Sequence, residues 1–86
     1  MNPFMNGDKS LKDGIRRVLR EVREDADLTQ EEVAKRLRLS RNIVANIENG
    51  RRPLHVAELI RLSIAVGVDP ARIVSEMVAR SRREAP

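Results

Sequence analysis

The chain has 86 residues, no cysteine, one histidine and a single aromatic residue, Phe4. This excludes disulfides, thiolate and histidine-cluster metal sites, and the aromatic platforms on which RNA and single strands stack, so no metal or other cofactor is expected. The net charge is +4, the length suits one small domain, and no apolar run approaches the roughly 18 residues of a membrane span, which predicts a soluble, cytoplasmic protein.

Residues 1–9 hold Asn, Pro and Gly and read as a loose arm. A first helix is predicted from about Ser10 to Asp25, with Ser10 and Asp13 as a capping arrangement. Leu11, Ile15, Val18, Leu19 and Val22 follow one helical face. Asp25-Ala26-Asp27 breaks the pattern, and Thr29 with Glu32 forms a T-x-x-E capping box for a second helix. That helix turns Val33, Ala34 and Leu37 to the core, and its period fails over Arg38-Leu39. Ser40 caps a third helix, Arg41 to Asn49, whose apolar stripe is Ile43, Val44 and Ile47. Gly50 follows it where a left-handed residue is wanted.

A basic loop with Pro53 leads to a fourth helix, about Val56 to Val66, stopped by Gly67. Asp69 caps a fifth, with Pro70 in its first turn. It runs to about Arg80, and residues 81–86 are expected to form a flexible basic tail, with Arg80, Arg82 and Arg83 in solvent. No period-two pattern survives anywhere. The predicted fold is all-α, a compact bundle of five helices with a central helix-turn-helix in a domain of residues 10–80.

Fourteen of the seventeen basic residues are arginine, the side chain that best forks onto phosphate and guanine. Between Lys35 and Arg52 stand six basic residues and one acid, Glu48, so the net positive charge is concentrated there. A plain solvated face is the competing reading of such a run. The third helix lies inside it, with Arg41, Asn42, Ala45, Asn46 and Asn49 off the apolar stripe. Arg can make two hydrogen bonds to guanine and Asn two to adenine, and the major groove admits one helix. Arg41, Asn42 and Asn46 are therefore candidate readers of base edges. The paired carboxylates Glu31/Glu32 and Asp25/Asp27 sit at helix starts, where the dipole favours them. No nucleophile–base arrangement appears, and no enzyme is expected.

Leu28-Thr29-Gln30-Glu31-Glu32-Val33-Ala34, Leu39-Ser40 and Ile47-Glu48-Asn49-Gly50 together resemble the helix-turn-helix of the lambda-repressor/Cro type. Arg52-Pro53 and Val66-Gly67-Val68-Asp69-Pro70 also fit, so the resemblance spans about residues 11–78. It implies a five-helix bundle that binds duplex DNA in a sequence-specific way, as a homodimer on a pseudo-palindromic operator. It further implies that Gln30 bonds a phosphate and steadies the recognition helix. Ser40, Arg41, Asn42, Ala45 and Asn46 would face the groove, while Asn49, Arg51 and Arg52 grip phosphates. Arg23 and Glu48 would form a buried ion pair. Arg38 and Asp27 stand where that family commonly has glycine, and a non-glycine residue in the left-handed region costs on the order of 1 kcal/mol.

By the same resemblance Leu59, Leu62 and Val66 face inward, as do Ile73 and Met77. Ile60 with Ile64, and Val74 with Val78, are then left as aliphatic pairs four apart, the expected dimer interface. The expected role is a small phage- or prophage-type repressor, associated with the bacterial nucleoid when bound to DNA. The alternatives are the controller of a restriction–modification system, the antitoxin of a toxin–antitoxin pair, and, more remotely, a protein-interaction bundle without DNA binding. Eighty-six residues leave no room for a ligand or self-cleavage domain. Control would come from concentration, operator competition, or a protein antagonist or toxin partner.

Overall fold

The computed structural model describes residues 8–84. They form α1 (Asp8–Asp25), α2 (Gln30–Leu37), α3 (Arg41–Glu48), α4 (Val56–Ala65) and α5 (Pro70–Glu84), with no strand among the described residues. Both ends of the helical region reach further than the sequence pattern predicts. At Asp8 the chain is already helical, so Ser10 lies inside α1 and not at its cap. The arm expected over residues 1–9 therefore loses Asp8 and Lys9 to α1, and residues 1–7 lie outside the described region.

At the other end α5 continues through Glu84, and of the expected tail only residues 85–86 lie outside the described region. The reason lies in Arg80, which is not a solvated tail residue. Its Nε donates to Glu76 at 2.9 Å and its Nη2 to Glu21 of α1 at 2.8 Å. Arg83 stands 3.7 Å from Glu76. Hydrogen bonds to Glu21 and then to Glu76 hold the Arg80 guanidinium above its ordinary range, and they pin the last turns of α5 to α1.

One core joins all five helices. Val18 and Leu19 of α1, Val33 and Ala34 of α2, Val44 and Ile47 of α3, Leu59 and Leu62 of α4, and Ile73 and Met77 of α5 are buried together with Val66. Burying a side chain of this size contributes about 1.5–3 kcal/mol, so loss of any one face opens the bundle. α1 packs chiefly on α5, and α2 chiefly on α3. Where α1 crosses α5, a β-carbon at Gly14 would collide with the end of Met77, so glycine permits the close approach. Ser63, fully buried on α4, donates to the Leu59 carbonyl at 2.6 Å and leaves no orphan hydroxyl.

Local chemistry sets the turns. Thr29 Oγ1 accepts from the Glu32 N–H at 3.1 Å, and Glu32 accepts from the Thr29 N–H at 3.2 Å, closing the capping box. Asp27 and Arg38 both have positive φ, 56° and 57°. Arg38 ends α2 in the left-handed region, and its N–H bonds the Lys35 carbonyl at 3.2 Å. The tight α2–α3 connection thus forms with an arginine where glycine carries less strain.

Candidate nucleic-acid interface

α3 is anchored from below and free above. Ser40 caps it, its Oγ accepting from the Ile43 N–H at 3.4 Å, so that hydroxyl serves the helix itself. Val44 and Ile47 are buried, while Arg41 and Asn42 are exposed. Neither exposed side chain makes a hydrogen bond within the described residues. Ala45 and Asn46 are half-buried, and Asn49 is exposed just past the last turn. Positions 41, 42, 45, 46 and 49 lie on one side of a helix by its period. The structure therefore collects these five residues on one face, opposite the core.

A charge clamp fixes the angle of that face. The Arg23 guanidinium of α1 forks onto Glu48 of α3, Nε to Oε2 at 2.7 Å and Nη2 to Oε1 at 2.9 Å. Its Nη1 also donates to the Leu28 carbonyl at 2.8 Å. Gln30, the first residue of α2, donates from Nε2 to the same Glu48 Oε1 at 3.0 Å. Three helices thus meet at one carboxylate. The pair is nearly enclosed, with side chains 11% and 7% exposed. The hydrogen bond to Glu48 raises the Arg23 guanidinium above its ordinary value, against the burial that lowers it. Gln30 steadies α3 directly, through this bond, and keeps its second amide hydrogen for another acceptor.

The loop after α3 is also tied down. Asn49 Oδ1 accepts from the Arg51 N–H at 3.1 Å, and the Asn46 carbonyl accepts from the Arg52 N–H at 3.1 Å. Arg51 is exposed, and its guanidinium has no hydrogen-bond or ion-pair partner among the described residues. Arg52 is committed differently: its Nη2 donates to Glu58 of α4 at 3.1 Å. Burial raises the Glu58 carboxyl, but the His55 N–H and then Arg52 outweigh it and leave the group below its ordinary range.

Three arginines positioned across the fold escape the sequence pattern. Arg16 of α1 reaches the Arg52 carbonyl at 3.4 Å. Arg36 of α2 donates to the Ala65 carbonyl at the end of α4 at 2.7 Å, and Arg80 bridges to Glu21. Their partners are 36, 29 and 59 residues away, beyond the reach of any local pattern. Position beside the apolar stripe, as Arg16 stands beside Ile15, is the only signal the sequence offers.

No group of His, Asp and Glu able to hold a metal ion occurs among the described residues, and no helix is long and apolar enough to cross a membrane.

The helix-turn-helix family matches residues 19–73, which includes the whole of α2, α3 and α4. Among solved structures, the chain is similar to an XRE-family like protein from Pseudomonas syringae pv. tomato. The TM-score is 0.85 and the identity 29%, over 93% of this chain and 98% of that one. It is also similar to the clp gene regulator ClgR from C. glutamicum, at TM-score 0.73 and 26% identity, covering 81% and 91% of the two chains. A second structure of that regulator matches at TM-score 0.75 and 24% identity, over 86% and 79%. No curated protein matches the chain.

Proposed function

The chain belongs to the helix-turn-helix family, and on that premise we propose that this DNA-binding transcriptional regulator is a sequence-specific repressor of the phage or prophage kind. It acts in the cytoplasm as a homodimer on a pseudo-palindromic operator. One observation carries the reading: α3 is capped, clamped by Arg23 and Gln30 through Glu48, and presents Arg41 and Asn42 unpaired on its outer face. A clamped helix whose unpaired side chains can each make two hydrogen bonds is what base readout in a major groove requires.

In this reading Arg41, Asn42 and Asn46 read bases, with Ser40 and Ala45 closing the contact. Arg51, Asn49 and the second amide hydrogen of Gln30 hold phosphates. Arg52 divides its guanidinium between Glu58 and a DNA phosphate. The family is in general non-enzymatic, which agrees with a role in binding alone.

Selecting fragments from a random duplex pool with the purified protein tests this. A single enriched, two-fold-related motif is expected, with the logarithm of the binding constant falling linearly with the logarithm of salt concentration. Enrichment of no motif, with equal affinity for every duplex, overturns sequence-specific regulation.

A further inference from the structure

A cavity of about 500 Å³ lies between α1 and the loop that follows α3. Lys12 and Arg16 of α1 and Arg51 and His55 of the loop line it, over an apolar wall that includes Ile15 and Leu54. No carboxylate lines it. Its size falls within the range of small-molecule sites. The lining combines basic side chains with apolar ones, so it suits an anion that carries an apolar group.

Arg16 is the telling residue. Its side chain is 13% exposed, nearly as enclosed as Arg23 at 11%. Arg23 makes three hydrogen bonds of 2.7–2.9 Å. Arg16 makes one contact of 3.4 Å to a carbonyl and one of 3.7 Å to Asp13, and its buried Nε has no partner. An enclosed guanidinium is normally satisfied by short bonds to acceptors. Here the fold leaves most of its hydrogen-bonding capacity unused beside an open basic cavity. Gly50, with φ +82°, has no side chain to fill the space: a β-carbon there would stand 3.6–3.8 Å from the Arg16 guanidinium.

We propose that this cavity binds a small organic oxyanion with an apolar body, seated between Arg16 and Arg51, and that its occupancy weakens DNA binding. The coupling follows from Arg51, a guanidinium shared between the cavity and the DNA backbone. An anion in the cavity draws that charge inward and neutralises it. By linkage, DNA must weaken the anion by the same factor. The helix-turn-helix unit would then itself respond to a small molecule.

A DNA phosphate offers the same oxyanion chemistry, so the probes must separate the two sources. Backbone amide resonances of the DNA-free protein are followed on titration with phenyl phosphate, inorganic phosphate and benzyl alcohol. Phenyl phosphate is expected to shift Gly50, Leu54 and His55 saturably, with a dissociation constant on the order of a millimolar. Inorganic phosphate and benzyl alcohol should each bind at least about tenfold more weakly, as should phenyl phosphate to Arg16→Lys and to the surface variant Arg51→Gln. Equal binding of phenyl and inorganic phosphate would make the cavity a phosphate grip only, and overturns the proposal. So does the absence of saturable shifts, or unchanged affinity in the folded Arg51→Gln protein. Saturating phenyl phosphate should weaken DNA binding several-fold more than inorganic phosphate at equal ionic strength; no difference overturns the coupling. Only that last step rests on the DNA-binding reading, because anion binding is measured without DNA.

Discussion

Glu48 accepts hydrogen bonds from Arg23 and Gln30 while almost enclosed. Removing one charge from such a site leaves the other uncompensated, at a cost of about 3–5 kcal/mol. Glu48→Gln and Arg23→Met are each expected to lower unfolding stability by that amount, a large share of what so small a domain holds. The double variant should lose clearly less than the two together, since it buries no lone charge. Strict additivity in chemical denaturation would falsify the coupling. Arg38 poses the opposite case, a residue held in a conformation it disfavours. Arg38→Gly relieves about 1–2 kcal/mol of strain against roughly 0.5–1 kcal/mol of glycine entropy, so a net gain of up to about 1.5 kcal/mol is expected. Asp27→Gly should gain less, because aspartate tolerates this region better than arginine. Urea midpoints of the two variants check the order.

Among the elements, α2 depends on its cap and α3 on its outer face. The Thr29 N–H, then its hydroxyl, hold the Glu32 carboxyl below its ordinary range. A lowered carboxylate contributes its stability above the ordinary glutamate range and loses it as pH falls through the folded value. Melting temperature should therefore drop below about pH 4, and the drop should be smaller in Glu32→Gln, which keeps an acceptor without titrating. Glu58 and Glu76 are also lowered and add to the same acid transition. For α3, the division between reading and gripping predicts two behaviours. Arg41→Ala should cost about 1–3 kcal/mol on the operator and relax preference at one base position. Arg51→Ala should weaken all duplexes alike and reduce the salt slope by about one unit. Equal losses on operator and random DNA for both variants would refute the division. Arg52→Ala is a poorer probe, because it also removes the Glu58 ion pair.

At the scale of the whole molecule, Ile60, Ile64 and Val74 are 42%, 65% and 48% exposed, and Val56 at 73% extends the α4 stripe by one turn. Val78 is half-buried and contributes less than its spacing implies. We propose that this patch joins two copies. A two-fold pair would set the recognition helices about 34–36 Å apart, one turn of DNA. Ile64→Glu with Val74→Glu should shift sedimentation from dimer to monomer and weaken operator binding through lost avidity, while melting stays cooperative. A double variant that sediments as wild type sinks this interface.

Local chemistry alone determined much of this protein. The T-x-x-E box, the Ser40 cap, Gly50 and Gly67 with positive φ, and the apolar stripes all act within about four residues, so α2, α3 and α4 were legible from the chain. So was the outer face of α3 with its Arg and Asn side chains, because helical period alone separates it from Ile43, Val44 and Ile47. The ends were not: α1 begins before Ser10, and α5 passes Arg80 because Glu21 lies 59 residues away and no local signal encodes that bridge. Arg23 and Glu48 could be paired beforehand only through a family resemblance, since 25 residues separate them. The tertiary structure alone decided that Arg52 spends its charge on Glu58, and that Arg16 is enclosed yet poorly bonded beside a basic cavity. The physical reason is common to these cases. Caps and periodicity are set by neighbours in sequence, whereas the partner of a long charged side chain is set by which helices the core brings together.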